Sequence, residues 1–109
     1  MLGDEARAIS VITVSELLHG ALRGGAEQRA RRRAFVEHLL AGIEALPVTE
    51  PIARVHAEIW AGVAARGDLI GAHDLWIAAT AITHGLGVAT RNAGDFGRVP
   101  GLRVVAPEG

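Results

Sequence analysis

Runs of β-branched residues alternate along the chain with longer amphipathic segments. The first run, Ile9 to Val14, is apolar at most of its positions and predicts a buried strand. Thr13 or Ser15 can then cap a helix that continues to Leu22, and Gly24-Gly25 ends this helix. The N-terminal part of the chain therefore predicts one strand followed directly by one helix.

The middle of the chain predicts two further helices. Residues 26 to 45 carry one apolar stripe at helical spacing, formed by Phe35, Val36, Leu39, Leu40 and Ile43. Leu46-Pro47-Val48 suits a short strand or a turn. Thr49 caps the next helix, with Pro51 near its first turn and Gly67 at its end. The inner face of that helix is lined by Ile52, Val55, Ile59 and Val63.

The last third predicts a buried helix and two short strands. Residues 72 to 83 are apolar on almost every side, which is typical of a helix buried all round. Val88 to Thr90 predicts a strand, Asn92 to Asp95 a turn, and Leu102 to Val105 a last strand. Because strands alternate with helices, we expect a three-layer α/β fold, with a parallel sheet covered by helices on both faces.

Composition narrows the class of protein. Residues 1 to 109 suit a single domain. The lack of cysteine excludes disulfide scaffolds, zinc–thiolate and iron–sulfur sites, and cysteine nucleophiles. Apolar stretches are broken well before the ~20 residues of a membrane span, and no export signal is visible, so we expect a cytoplasmic protein without a membrane partner. A net charge of −1 argues against attraction of nucleic acid by overall charge, but not by a local patch.

Three acids fall where the predicted strands end and the buried helix begins. Glu16 follows the first strand, Asp74 opens the buried helix, and Asp95 follows the strand that ends near Thr90. In an open parallel sheet these points meet at one edge. Each acid alone has an ordinary explanation, as a favourable charge in a first helical turn or as a turn residue. Together they favour a site for a divalent cation, since Asp74 borders the core, where an uncompensated charge is costly.

The types of residue in this group narrow the choice of metal. Carboxylates without thiols or paired histidines suit Mg²⁺ or Mn²⁺ better than zinc. His73 could lie beside the site because it adjoins Asp74, although neighbours on a helix point in different directions.

Arginines are concentrated before and within the second helix, at Arg23, Arg29, Arg31, Arg32 and Arg33. Cations at a helix N-terminus are slightly unfavourable. The cluster is either a solvated helix start, or a surface for phosphates or for an acidic partner; Arg29, Arg32 and Arg33 are the candidates for such contacts.

Three ordered blocks of sequence resemble the PIN domain, and within it the VapC-type toxins of bacterial toxin–antitoxin pairs. The blocks are Ile12 to Leu17, Ile70 to Ala81 and Thr90 to Phe96, and the resemblance runs from about residue 8 to residue 106. It implies a PIN-like fold and a Mg²⁺- or Mn²⁺-dependent endoribonuclease.

The resemblance also implies roles for particular residues and partners. The catalytic, metal-binding acids of the family map onto Glu16, Asp74 and Asp95, with Thr90 and Asn92 at polar positions beside them. The implied substrate is structured RNA of the tRNA or rRNA class, and the implied inhibitor is a cognate VapB-type antitoxin. We also expect a homodimer.

One part of the family pattern is not found in this sequence. Family members begin with a strand that ends in a metal-binding Asp and lies in the middle of the sheet. Nothing in residues 1 to 8 resembles that strand, and Met1 to Glu5 looks like the tail of the helix that follows it. We therefore expect the first, central strand to be missing from this chain, and its place to be filled by an N-terminal fragment of the same protein or by another chain.

Two other functions stay open on the sequence alone. Without the central strand and its Asp, the chain could be a catalytically dead module that only binds an antitoxin. An unrelated α/β domain that binds a small molecule, with coincidental acids, is the third reading. Metal-dependent cleavage of RNA separates the first function from the second.

Overall fold

The computed structural model describes residues 8–90 and 92–105, and the predicted helix tail at Met1 to Glu5 lies outside them. The described part is an α/β arrangement in the predicted order, with a short helix where a turn was predicted. Its elements are β1 (Ala8–Ser10), α1 (Val11–Ala21), α2 (Ala26–Leu40), β2 (Glu44–Leu46), α3 (Glu50–Ala65), α4 (Ala72–Thr83), β3 (Val88–Ala89), α5 (Ala93–Phe96) and β4 (Val104–Val105).

The strands pair in parallel, as predicted, but in two separate pairs. β1 lies beside β2 with Ala8 opposite Glu44, and β3 lies beside β4 with Val88 opposite Val104. Within residues 8–90 and 92–105 these are two two-stranded sheets, not one continuous sheet. A cleft between them is lined by residues of β1, β3 and α4. The missing central strand itself stays a prediction.

The first strand is shorter than predicted, and the first helix begins earlier. β1 ends at Ser10, whose hydroxyl accepts a hydrogen bond from the Ile12 amide at 3.1 Å. Ser10 is therefore the N-cap of α1, and the prediction of Thr13 or Ser15 as the cap is wrong. The β-branched residues from Val11 to Val14 form the first turn of the helix, because the cap and tertiary packing outweigh a modest intrinsic preference for strand.

The second helix ends earlier than predicted and exposes its apolar stripe. α2 stops at Leu40, since the chain turns at residues 41 to 43 and then pairs as β2 with β1. α2 packs on α1, yet none of its residues is buried, and Phe35 and Leu39 are 64% and 46% exposed. The other residues of the predicted stripe, Val36, Leu40 and Ile43, are half-buried, so the described part of the chain covers the stripe only in part.

Helices α3 and α4 form the centre of the core. The predicted inner face of α3 is confirmed for Ile52, Ile59 and Val63, which pack with the buried α4 residues Leu75, Ala78, Ala79 and Ala81. α4 spans Ala72–Thr83, as predicted, and Gly85 ends it with a positive φ of 67°. No helix of the described ranges is long and apolar enough to cross a bilayer.

A buried histidine lies in the contact between these two helices. The imidazole of His56 in α3 stacks on the indole of Trp76 in α4, with ring centroids 3.6 Å apart and planes inclined by 13°. Burial lowers the pKa of His56 below its ordinary value. The imidazole therefore packs as a neutral aromatic ring, which is the form that burial favours.

Candidate active site

Three different helices carry the three candidate acids. Asp74 lies in the first turn of α4, Asp95 in α5, and Glu16 in the middle of α1. Helix α4 contacts both α1 and α5, so it brings the three together at its N-terminal end. A favourable position at a helix N-terminus explains Asp74 but not Glu16, because α1 begins five residues before Glu16.

Asn92 joins two of the acids. Its side-chain amide donates hydrogen bonds to Asp74 Oδ2 and to Asp95 Oδ2, each at 3.2 Å. Thr90 supports this arrangement, since its hydroxyl accepts a hydrogen bond from the Asn92 backbone amide at 2.9 Å. The structure therefore brings Asp74, Asn92 and Asp95 together and places Thr90 directly behind them.

Glu16 joins the group through a histidine. Its carboxylate lies 3.2 Å from Nδ1 of His73, the residue before Asp74 in α4. The two side chains are 41% and 60% exposed, so this contact lies at the open border of the group. The side chains of His73 and Asp74 point in different directions, as expected for neighbours on a helix. His73 contacts Glu16, whereas Asp74 accepts a hydrogen bond from Asn92.

The surroundings of Asp74 disfavour its charged form. Burial raises the pKa of Asp74, and the charges of Asp95 and Glu16 raise it further, while the hydrogen bond from Asn92 and the nearby His73 lower it in part. Both carboxylates are therefore close enough to Asp74 to repel it. Raised pKa values of this origin are typical of functional sites.

The donor chemistry fits a hard divalent cation. Carboxylate and amide oxygens are the protein ligands that Mg²⁺ and Mn²⁺ prefer. Within residues 8–90 and 92–105, however, no group of three His, Asp or Glu side chains is already arranged to hold a metal ion. The Asn92 amide points its hydrogens at both aspartates, so a cation there requires a small rearrangement of the side chains.

Arg98 borders the group, although it is not among the site residues that the sequence predicts. Its guanidinium lies 3.7 Å from Asp95 and donates to the Leu69 carbonyl at 2.9 Å. Arg66 donates in turn to the Arg98 carbonyl at 2.8 Å. The two arginines thus tie the loop before α4 to the end of α5. The spacing of three residues between Asp95 and Arg98 was the one available signal.

The arginine cluster of α2 is spread over several contacts. Arg31 pairs with Glu27 at 2.8 Å on the exposed helix surface. Arg32 donates to the Arg23 carbonyl at 3.1 Å and so fastens the turn between α1 and α2. Arg32 therefore has a structural role, and contacts of Arg29, Arg32 and Arg33 with RNA or a partner stay a prediction.

Comparison with known sequences identifies the family. The PIN domain family matches residues 1–102. Ribonuclease VapC1 of Rickettsia felis is 39% identical over 98 residues, which cover 89% of this chain and 73% of that protein. The tRNA(fMet)-specific endonuclease VapC of Salmonella typhimurium is 35% identical over 94% of this chain and 76% of that protein. The third hypothesis from the sequence, an unrelated α/β domain that binds a small molecule, is therefore wrong.

Solved structures agree with the sequence comparison. DNA-bound VapBC from Salmonella typhimurium superposes with a TM-score of 0.85 at 35% identity, over 91% of this chain and 74% of that chain. FitAcB from Neisseria gonorrhoeae gives a TM-score of 0.80 at 36% identity, over 90% and 73%. The chain belongs to the PIN-domain family, among the relatives of the VapC ribonuclease toxins.

Proposed function

We propose that this chain is a metal-dependent endoribonuclease toxin that hydrolyses RNA phosphodiester bonds. One observation carries the proposal: acids from three helices meet at the start of α4, where burial and then the charges of Asp95 and Glu16 raise the pKa of Asp74. Repulsion of this kind destabilises the protein unless a cation compensates it. The curated relatives named ribonuclease or endonuclease supply the reaction class.

We propose Asp74, Asp95 and Glu16 as the ligands of Mg²⁺ or Mn²⁺. When bound, such an ion supplies a water of lowered pKa and stabilises charge on the phosphoryl oxygens. Asn92 would orient the two aspartates, and Thr90 would fix Asn92 through its backbone amide. His73 would hold the Glu16 carboxylate at the border of the site.

RNA cleavage by the purified chain tests this proposal. With Mn²⁺ and a panel of tRNA and rRNA fragments we expect cleavage that EDTA abolishes. Asp74→Asn and Asp95→Asn should each reduce the rate at least a hundredfold, whereas Glu58→Gln, an exposed acid of α3, should not. A folded chain that binds an antitoxin and cleaves none of these RNAs is instead the non-catalytic module.

We propose that RNA is also attracted by the exposed arginines of α2. Arg29 and Arg33 lie one turn apart on that helix and are exposed. Replacing either by Gln should flatten the salt dependence of RNA binding by about 0.7 units of slope per lost phosphate contact. An unchanged slope would mean that these arginines do not contact RNA and only form a solvated helix surface.

We propose that a cognate VapB-type antitoxin binds the exposed apolar face of α2. The solved structures similar to this chain include VapBC and FitAcB. Phe35 and Leu39 are exposed large apolar residues on that face, and such patches mark protein-binding surfaces. Phe35→Ser should weaken antitoxin binding without lowering the stability of the chain, since Phe35 is not part of its core. Unchanged antitoxin affinity would contradict this assignment.

We propose, further, that a strand from outside the described residues fills the cleft between β1 and β3. Each of these strands has one hydrogen-bonded partner within the described ranges, and the cleft between them is lined by both. A strand placed there would join the two pairs into one sheet. The source is an N-terminal fragment of the same protein or another chain, and intact-mass analysis of the purified sample would detect either.

Self-association is a separate proposal. Trp60 and Leu69 are 60% and 84% exposed and border a cleft that is lined by Val63 and Leu75. This apolar surface supports a homodimer. Light scattering of wild-type protein and of Leu69→Ser should show loss of the dimer in the variant; equal masses would contradict it.

A further inference from the structure

A second cleft lies beside the acids and is bordered by cationic and hydrogen-bonding groups. Its lining residues are Ser15, Glu16, His19, Gly20, Arg23 and His73. Its volume is about 440 Å³, which is within the range of small-molecule sites. Glu16 lines this cleft, and it contacts His73, the residue before Asp74, so the cleft lies next to the acids.

Three side chains give the cleft its chemistry. His19 lies in the C-terminal half of α1 and Arg23 in the turn that follows it, and His73 lies at the start of α4. All three carry N–H donors, and the arginine is always charged. The lining thus offers several donors against one carboxylate, Glu16, which already contacts His73. Such a set of donors suits a phosphate.

Gly20 lies beside the Arg23 side chain. A Cβ atom on Gly20 would meet Nη2 of Arg23 at 3.8 Å and no other group within 4 Å. The guanidinium therefore lies over Gly20, on the helix surface that forms the wall of the cleft.

We propose that this cleft binds a backbone phosphate of single-stranded RNA next to the bond that is cleaved, with Arg23 as the main contact and His19 and His73 as further donors. The proposal rests on the proposed function, because Glu16 and His73 place this cleft beside the acids. An acidic segment of a protein partner is the competing ligand, and the position beside the proposed catalytic acids favours RNA, the proposed substrate.

RNA binding in EDTA tests the inference separately from cleavage. Fluorescence anisotropy with a labelled single-stranded RNA would be measured at several salt concentrations. Arg23→Ala should weaken binding about tenfold or more, as expected for a lost charge-assisted hydrogen bond, and should reduce the salt slope by about 0.7. Arg23→Lys should keep the slope.

A matched control is Arg54→Ala, an exposed arginine of α3 that pairs with Glu50 at 3.0 Å. This change removes one positive charge outside the cleft. It should leave the slope of the salt dependence of RNA binding within a few tenths of the wild-type value. Equal affinity and slope for wild type and Arg23→Ala would overturn the inference even if RNA is cleaved. Failure of the wild-type chain to bind RNA would overturn it too. If Arg23→Ala instead weakens binding of an acidic peptide and not of RNA, the cleft belongs to a protein partner.

RNA cleavage in Mn²⁺ supplies the independent readout. Loss of the phosphate contact should raise KM more than it lowers kcat, because it removes binding at a position outside the reacting bond. A chain that binds RNA through Arg23 but cleaves nothing would contradict the proposed function and leave the cleft assignment intact.

Discussion

At the scale of single residues, Asp74 couples folding to pH. Its pKa is raised in the folded protein, so the folded state holds this proton to a higher pH than the unfolded state does. The free energy of unfolding therefore falls as the pH rises from the ordinary value of 3.8 through the raised pKa, and the loss persists above it.

Asp74→Asn should relieve this loss. Without divalent ions at neutral pH, we expect the variant to unfold at a higher urea concentration than the wild type, because the amide carries no charge that burial penalises or that Asp95 and Glu16 repel. The advantage should shrink as the pH falls through the raised pKa and should vanish below 3.8. Glu58→Gln is the control, and an equal advantage for it would mean that the repulsion is general.

Metal binding should make the wild type more stable than Asp74→Asn, the reverse of the order without metal. If Asp74 is a ligand, Mn²⁺ stabilises the wild type by mass action, by about 2.7 kcal/mol at a hundredfold excess over Kd, and leaves Asp74→Asn unchanged. Thermal melts with increasing Mn²⁺ measure this. Equal stabilisation of both proteins by Mn²⁺ would show that Asp74 is not a ligand of the metal.

The candidate acids could be chosen from the sequence, whereas most of their neighbours could not. Asp74 and Asp95 were identifiable because a strand end and a buried helix fix their positions along the chain. His19 and Arg98 were not, and Arg23 was recognised only as one of a cluster of arginines, because their places depend on how α1, α4 and α5 pack together. Glu16 was chosen for the wrong local reason: it lies in mid-helix and reaches the group through His73.

At the scale of elements, the start of α1 gives a direct test of the structure. Ser10→Ala removes the N-cap hydroxyl and should destabilise the chain by about 1 kcal/mol, since the Ile12 amide loses its partner in a buried place. Ser15→Ala is the matched change at an exposed helix position and should cost far less. Urea unfolding of both variants measures the two effects. A larger loss of stability for Ser15→Ala would mean that Ser15, not Ser10, is the N-cap.

Close packing of α4 gives a second test. Ala78 is fully buried, so Ala78→Leu forces extra volume into a filled core and should cost about 1–3 kcal/mol. Ala72→Leu places the same side chain at the exposed start of the same helix and should change stability by less than about 0.5 kcal/mol. Equal effects at the two positions would mean that α4 is not buried as the structure describes.

The elements themselves were predictable in type and order more than in their limits. Helices α3 and α4 were found with almost correct bounds, because each has a long apolar face and a clear end. The β-branched run after Ile9 was divided between β1 and α1 by one serine, which a pattern of hydrophobic residues does not detect. The apolar stripe of α2 predicted burial, but a pattern cannot say whether its partner belongs to the same chain.

At the scale of the whole molecule, the two separate strand pairs bear on how the chain behaves in solution. Each buried, unpaired backbone group costs on the order of 1–3 kcal/mol, and a domain is stable by only about 5–15 kcal/mol. We therefore expect the chain by itself to associate or to retain a second peptide. Native mass spectrometry should show one of these. A monomer with a sharp cooperative melt and no second species would contradict the expectation.

The stack of His56 on Trp76 has an optical consequence. The chain has two tryptophans: Trp60 is 60% exposed, whereas the Trp76 indole lies flat against an imidazole. In a Trp60→Phe variant, all tryptophan emission would come from α4, two residues after Asp74. Because burial lowers the pKa of His56, the imidazole stays neutral below the pH at which an ordinary one protonates, so the emission would follow movement of α4 and not protonation of the ring. The protein thus carries its own fluorescent reporter of events at the start of that helix.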